Sequence, residues 1–134
     1  MDAVAVMTAL LTAYAPLTAL VPAANIMPGT IPQGHLPAVG IREISSSEMA
    51  TASGAQASVM VTARVQVTVY AATYPAMRAA LNAAKLGPGY HTGLIAGVDV
   101  RSVSRDFVGP DLSDISIPIY EQSRDFRVVY IAPN

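Results

Sequence analysis

Residues Val59 to Tyr70 form a stretch of twelve in which two kinds of side chain alternate. Val59, Val61, Ala63, Val65, Val67 and Val69 fall on one side, and Met60, Thr62, Arg64, Gln66, Thr68 and Tyr70 on the other. That period belongs to a strand with one dry face and one mixed face. A strand of this length reaches about 40 Å. The helix expected after it, from Tyr74 to Leu86, covers only about 20 Å. One such helix cannot roof the apolar face, so the spacing predicts that part of the sheet is shielded by another copy of the chain.

The scarcity of charge points the same way. Charged residues make up 13% and hydrophobic residues 52% of the 134 positions, where a soluble domain carries about a quarter charged. A weakly charged, apolar surface suits a subunit of a permanent assembly. The other source of such a composition is a monomer rich in Ala, Thr and Ser. The net charge of −1 and the scattered basic residues give no stripe that would hold nucleic acid or an anionic membrane. There is no cysteine, which excludes disulfides, thiolate metal sites and cysteine nucleophiles. Ala3 to Ala24 is uncharged, but Thr8, Thr12, Pro16, Thr18 and Pro22 interrupt it, against a membrane span or a secretory leader.

Along the chain, Asp2 can cap a helix running to Ala13 with the stripe Ala3, Val6, Met7, Leu10 and Leu11. Pro16 opens a short second turn carrying Leu17, Leu20 and Val21. Pro22 to Pro37 reads as an ordered, proline-stiffened connector. Ala38 to Ile44 reads as a strand and Ser45 to Ala57 as a mobile loop. After the long strand, Thr73 and Pro75 open the second helix, which Gly87-Pro88-Gly89 ends. Tyr90 to Gly97 is expected as a loop. Val98 to Val108 and Ile117 to Ile131 are two more strands, joined by an acidic turn. The fold class expected is α+β in one domain, residues 1–134. It has a mostly antiparallel four-stranded sheet with two main helices on one face, in the order α-β-β-α-β-β.

Catalytic chemistry finds little footing. His35 and His91 lie in loops with no second ligand or triad partner at a useful spacing. Asp106, Asp111 and Asp114, with Glu121 and Asp125 beyond, read first as a solvated hairpin tip, since the alternation of a calcium loop is missing. In an assembly these acids could meet Arg101 or Arg105 of a neighbour. No glycine-rich phosphate cradle and no nucleophile elbow occurs. In the last strand, Arg124, Phe126, Val128 and Tyr130 share one face, and Asp125, Arg127 and Val129 the other. This is too acidic a setting for an RNA-binding sheet. The expectation is a protein that is not an enzyme, with no cofactor and no metal.

Four stretches resemble the tail-completion, or tail terminator, proteins of long-tailed bacteriophages, which join head to tail. They are Leu10-Leu11 through Val21 with its break at Pro16; Ile31-Pro32-Gln33-Gly34 followed by Leu36-Pro37-Ala38-Val39; Ala63 through Ala71 leading to Thr73-Tyr74; and Ser123 through Tyr130. Their order and spacing cover nearly the whole chain. Where relatives often carry tryptophan, this chain has Tyr70 and Val129, and it has no tryptophan anywhere.

The resemblance implies a homohexameric ring in the virion, assembled in the host cytoplasm, at the head-proximal end of the tail. Its partners would be other copies of itself, the tail tube protein, the head connector or neck protein and the tape measure protein. DNA would be only passing cargo, and no membrane is involved. With the strand overhang, it implies subunit or partner contacts at Ser46, Ser47, Glu48, Met49, Arg64, Tyr70, Arg105, Asp111, Asp114, Arg124 and Arg127. Two alternatives remain: a neck or head-completion protein on the capsid side, and a small non-catalytic ligand-binding domain with an apolar pocket.

Overall fold

A computed structural model describes residues 2–29, 31–32, 34–49, 57–87, 91–114 and 119–133. Helix α1 (Ala3–Ala13) begins at Asp2, whose side chain accepts from the Ala5 amide at 3.1 Å. It buries Ala3, Val6, Met7 and Leu11. Tyr14 is extended and ends α1. The short α2 (Ala15–Thr18) carries Pro16 in its first turn and buries Leu17, as a fixed φ at a helix start allows. A 3₁₀ turn over Ala23–Asn25 leads to β1 (Ile26–Pro28). Two long strands follow, β2 (Ala38–Met49) and β3 (Ser58–Ala71). Helix α3 (Tyr74–Ala83) is capped by Thr73, which accepts from the Ala76 amide at 3.3 Å. The chain ends in β4 (Gly93–Ile95), β5 (Val98–Val108), β6 (Leu112–Asp114) and β7 (Ile119–Pro133).

Among the described residues these strands make one seven-stranded sheet in the order β1-β2-β3-β7-β5-β4, with β6 paired to β7. The sheet curls as a half-barrel. Only β1 against β2 is parallel. The face toward the helices carries the core. Val61, Ala63, Val65, Val67, Val69 and Ala71 of β3 lie beside Phe126, Val128 and Tyr130 of β7 on that face and are closed off by Met7, Leu11, Leu17, Met77 and Leu81.

This corrects the expected fold class. The protein is mostly β, with a seven-stranded mixed sheet and three short helices, not a four-stranded antiparallel α+β domain with two main helices. Strands β1, β4 and β6 have three residues each, too few to show a period of two. They owe their conformation to a neighbouring strand. β2 also runs five residues past the expected end at Ile44. Ser45–Met49 pair with Met60–Arg64 of β3, so the ladder holds as strand a serine-rich segment expected to be a mobile loop. Residues 50–56 of that loop, and residues 117–118 at the expected start of the last strand, lie outside the described residues. The second helix stops at Ala83, with Leu86 and Gly87 at φ 68° and 67°.

The roofing expectation also changes. The inward row from Val61 to Ala71 is already buried within one chain, because α1 and α2 share the roof with α3. What the single chain leaves uncovered, among the described residues, is a pair of sheet edges.

Candidate functional site

Strand β1 pairs only with Val39–Ile41, so Arg42–Met49 of β2 have no outer neighbour among the described residues. Strand β4 pairs only with Val98–Val100, so among the described residues Arg101–Val108 of β5 are open on the other side. Every residue from Arg42 to Met49 is exposed, and so is all of Arg101–Val108 except half-buried Val103. Ile44, Met49, Phe107 and Val108 are large apolar side chains on these edges. Unpaired edges offer rows of free N–H and C=O groups, and proteins that expose them long and flat tend to pair them with another chain.

The two edges carry opposite charge on the helix-side face. At β2, Glu43 and Glu48 occupy inward positions, opposite Val65 and Val61. Both carboxylates, and that of Asp2, raise the phenol of Tyr130 above its ordinary value, after the larger effect of burial. Arg42 faces the other way, opposite Gln66. At β5, Arg105 lies inward, opposite Phe126, and Arg124 of β7 lies one inward position further, opposite Val67 and Val108. Arg124 is 7% exposed and its Nε is buried with no hydrogen-bond partner. Burial, then the charges of Arg105 and Arg78, lower its pKa. Arg78 of α3 is held in place: its Nη1 donates to Gln122 Oε1 at 2.8 Å, and Gln122 Nε2 donates to the Gly109 carbonyl at 2.8 Å. Among the described residues no carboxylate pairs with Arg78, Arg105 or Arg124. Lys85 and Arg105 line an adjoining groove of about 560 Å³ with Tyr14, Pro16, Leu20 and Ala83.

The opposite face of the sheet is hydrophilic and its charges are largely cancelled. Arg64 donates from Nε and Nη2 to Asp125 Oδ2 at 2.9 and 2.6 Å. Arg127 lies 3.7 Å from Asp106. The hydroxyls of Thr68 and Ser123 bond at 2.8 Å. Tyr70, on the same face, has its phenol pKa raised by burial first and by Glu121 second. Two depressions of about 340 and 280 Å³ open here, one beside Ser45, Ser46, Ser47 and Arg64 and one beside Arg42, Gln66 and Tyr70.

The interface residues expected from sequence are thus spread over the molecule. Ser46, Ser47, Glu48 and Met49 share the β2 edge, and Arg105 and Arg124 belong to the basic side. Arg64, Tyr70 and Arg127 lie on the hydrophilic face. Asp111 accepts from the Tyr74 hydroxyl at 3.0 Å, and that bond is the first cause of the raised Tyr74 pKa. Asp114 pairs with Ile119 along the backbone, and its side chain lies outside the described residues. Glu43, Arg78 and Gln122, which the structure adds to these two edges, are not among the residues expected from sequence. Glu43 falls next to the expected strand end at Ile44, because the serines after it have no strand preference. Arg78 follows Met77 on a helix whose opposing strand cannot be read from its own period.

Among the described residues no group of three or more His, Asp or Glu could hold a metal ion. No helix there is long and apolar enough to cross a membrane. No family model matches the chain, and no curated protein does. A solved chain from the virion of a native gene transfer agent particle is similar in fold, with a TM-score of 0.65 at 15% identity. The likeness covers 98% of this chain and 100% of that one. At that identity the likeness shows the fold.

Proposed function

We propose that this chain is a structural virion protein without enzymatic activity. It is a tail terminator that caps the head-proximal end of a phage tail tube and joins it to the head connector. The observation that carries this reading is the pair of open edges on one sheet, β2 on one side and β5 on the other. Two different edges on one molecule favour heterologous contacts, which close into a ring when the rotation permits. The whole-length fold likeness to a virion chain supports the same reading, and the family resemblance suggests six copies.

In such a ring the bulkier helix face turns outward and the hydrophilic face lines the bore. A channel for DNA needs a wet wall without a field of unpaired cations. The ion pairs Arg64–Asp125 and Arg127–Asp106 fit that need. The rims then differ: one copies the docking face of a tube subunit, and the other refuses further tube subunits while accepting the connector. Met49 and Met60, 62% and 36% exposed where β2 ends and β3 begins, sit at one rim.

Electron microscopy of particles assembled without this chain tests the proposal. Tails of irregular, excessive length with unattached heads are expected. Tails of normal length with unattached heads would instead indicate a neck protein on the capsid side, and intact particles would overturn both.

A further inference from the structure

The geometry points to Glu43 of one copy as the missing carboxylate of the Arg105–Arg124–Arg78 cluster in the next copy, with the open edge of β2 paired antiparallel to the open edge of β5. This rests on the ring reading and adds a specific contact to it. Within one chain, Glu43, Val65, Phe126 and Arg105 are successive partners across the sheet, so they form a single row on the helix-side face. The row begins with an exposed acid and ends with an exposed base, and both ends lie at open edges. A rotation about an axis along the strands carries the row onto itself. It brings Glu43 beside Arg105 of the neighbour on the same face. β2 and β5 run in opposite directions within the sheet, since β2-β3, β3-β7 and β7-β5 are each antiparallel. The joint is therefore antiparallel too.

The cluster on the receiving side is incomplete as it stands. Buried Arg124 has an unpartnered Nε, and an arginine is seldom buried without a partner. Its neighbours Arg78 and Arg105 add charge of the same sign. A carboxylate arriving across the joint supplies acceptor oxygens and neutralises part of that field. Glu48 lies two inward positions further along β2 than Glu43, one beyond Ser46 and opposite Val61, and serves if strand tilt shifts the register.

The absence of cysteine allows a direct test. In one copy, positions 43 and 105 are three strand spacings apart, about 14 Å, beyond the roughly 7 Å that a disulfide spans between Cα atoms. A double variant, Glu43→Cys with Arg105→Cys, can therefore link these positions only between copies. Oxidation is run on the concentrated chain and on assembled particles carrying the variant. A ladder of covalent multimers ending at one closed size is expected, whereas each single variant gives dimers at most. In sedimentation, Glu43→Arg or Arg105→Glu alone should weaken association by about tenfold or more, and the two together should restore it. Rings that form with either reversal as they do in the wild type, with no cross-link in chain or particle, overturn this contact and leave the ring reading standing. A chain that is monomeric in solution and in the particle overturns both.

Discussion

Tyr130 is 7% exposed and sits among the carboxylates of Glu43, Asp2 and Glu48. Burial and these charges hold its phenol above the ordinary value of 10.0. The folded chain therefore keeps a proton that the unfolded chain releases once the pH passes about 10. The stabilisation is complete below that point and is lost as pH rises through the folded value. Tyr70 and Tyr74 shift in the same direction. Urea unfolding between pH 8 and pH 11 should show wild-type stability falling above about pH 10. Tyr130→Phe should fall less steeply over the same interval. At this scale the alternation in the last strand separates Arg124 from Arg127 correctly, because positions three apart in a strand face opposite ways. It cannot say that Arg124 ends beneath α3 beside Arg78, since that depends on which helix packs there.

At the scale of elements, the ends of two helices meet. Gly87 follows α3 with φ 67°, and a Cβ placed on it would lie 2.6 Å from the Tyr14 hydroxyl at the end of α1. Gly87→Ala should cost about 1–2 kcal/mol, from a left-handed backbone that alanine resists and from that clash. In a Tyr14→Phe background part of the loss should return, because only the backbone strain remains. Chemical denaturation of the two single variants and the double variant measures both parts.

The long elements were legible for reasons that are equally local. β3 has sustained alternation, β5 alternates at Val98 and Val100 where it starts, α1 has Asp2 as a cap, and α3 has Thr73 and Pro75 at its start. β1, β4, β6 and the far half of β2 were not. Met27 becomes strand because Gly40 of β2 lies beside it. Ser45–Met49 become strand because β3 supplies the ladder. Their side chains express no preference strong enough to announce this.

At the scale of the molecule, acids gather at the β2 side and unpaired bases at the β5 side, although the chain as a whole carries a net charge of only −1. Such a molecule attracts its own copies head to tail and discourages head-to-head contact. If charge guides the joint, raising salt from about 50 mM to about 500 mM should weaken self-association, since screening shortens the reach of exposed charges. Sedimentation over that range checks it. An unchanged constant would assign the joint to backbone pairing and to the apolar edge residues Ile44, Phe107 and Val108.

Local spacing was enough to establish the long central strand, the helix starts and the thinness of the charge, because each depends on side chains next to one another in the chain. The seven-stranded order, the two open edges and the shared row from Glu43 to Arg105 arise only when segments as far apart as 43, 65, 126 and 105 lie side by side. Register is a property of pairs of strands, and no single segment contains it.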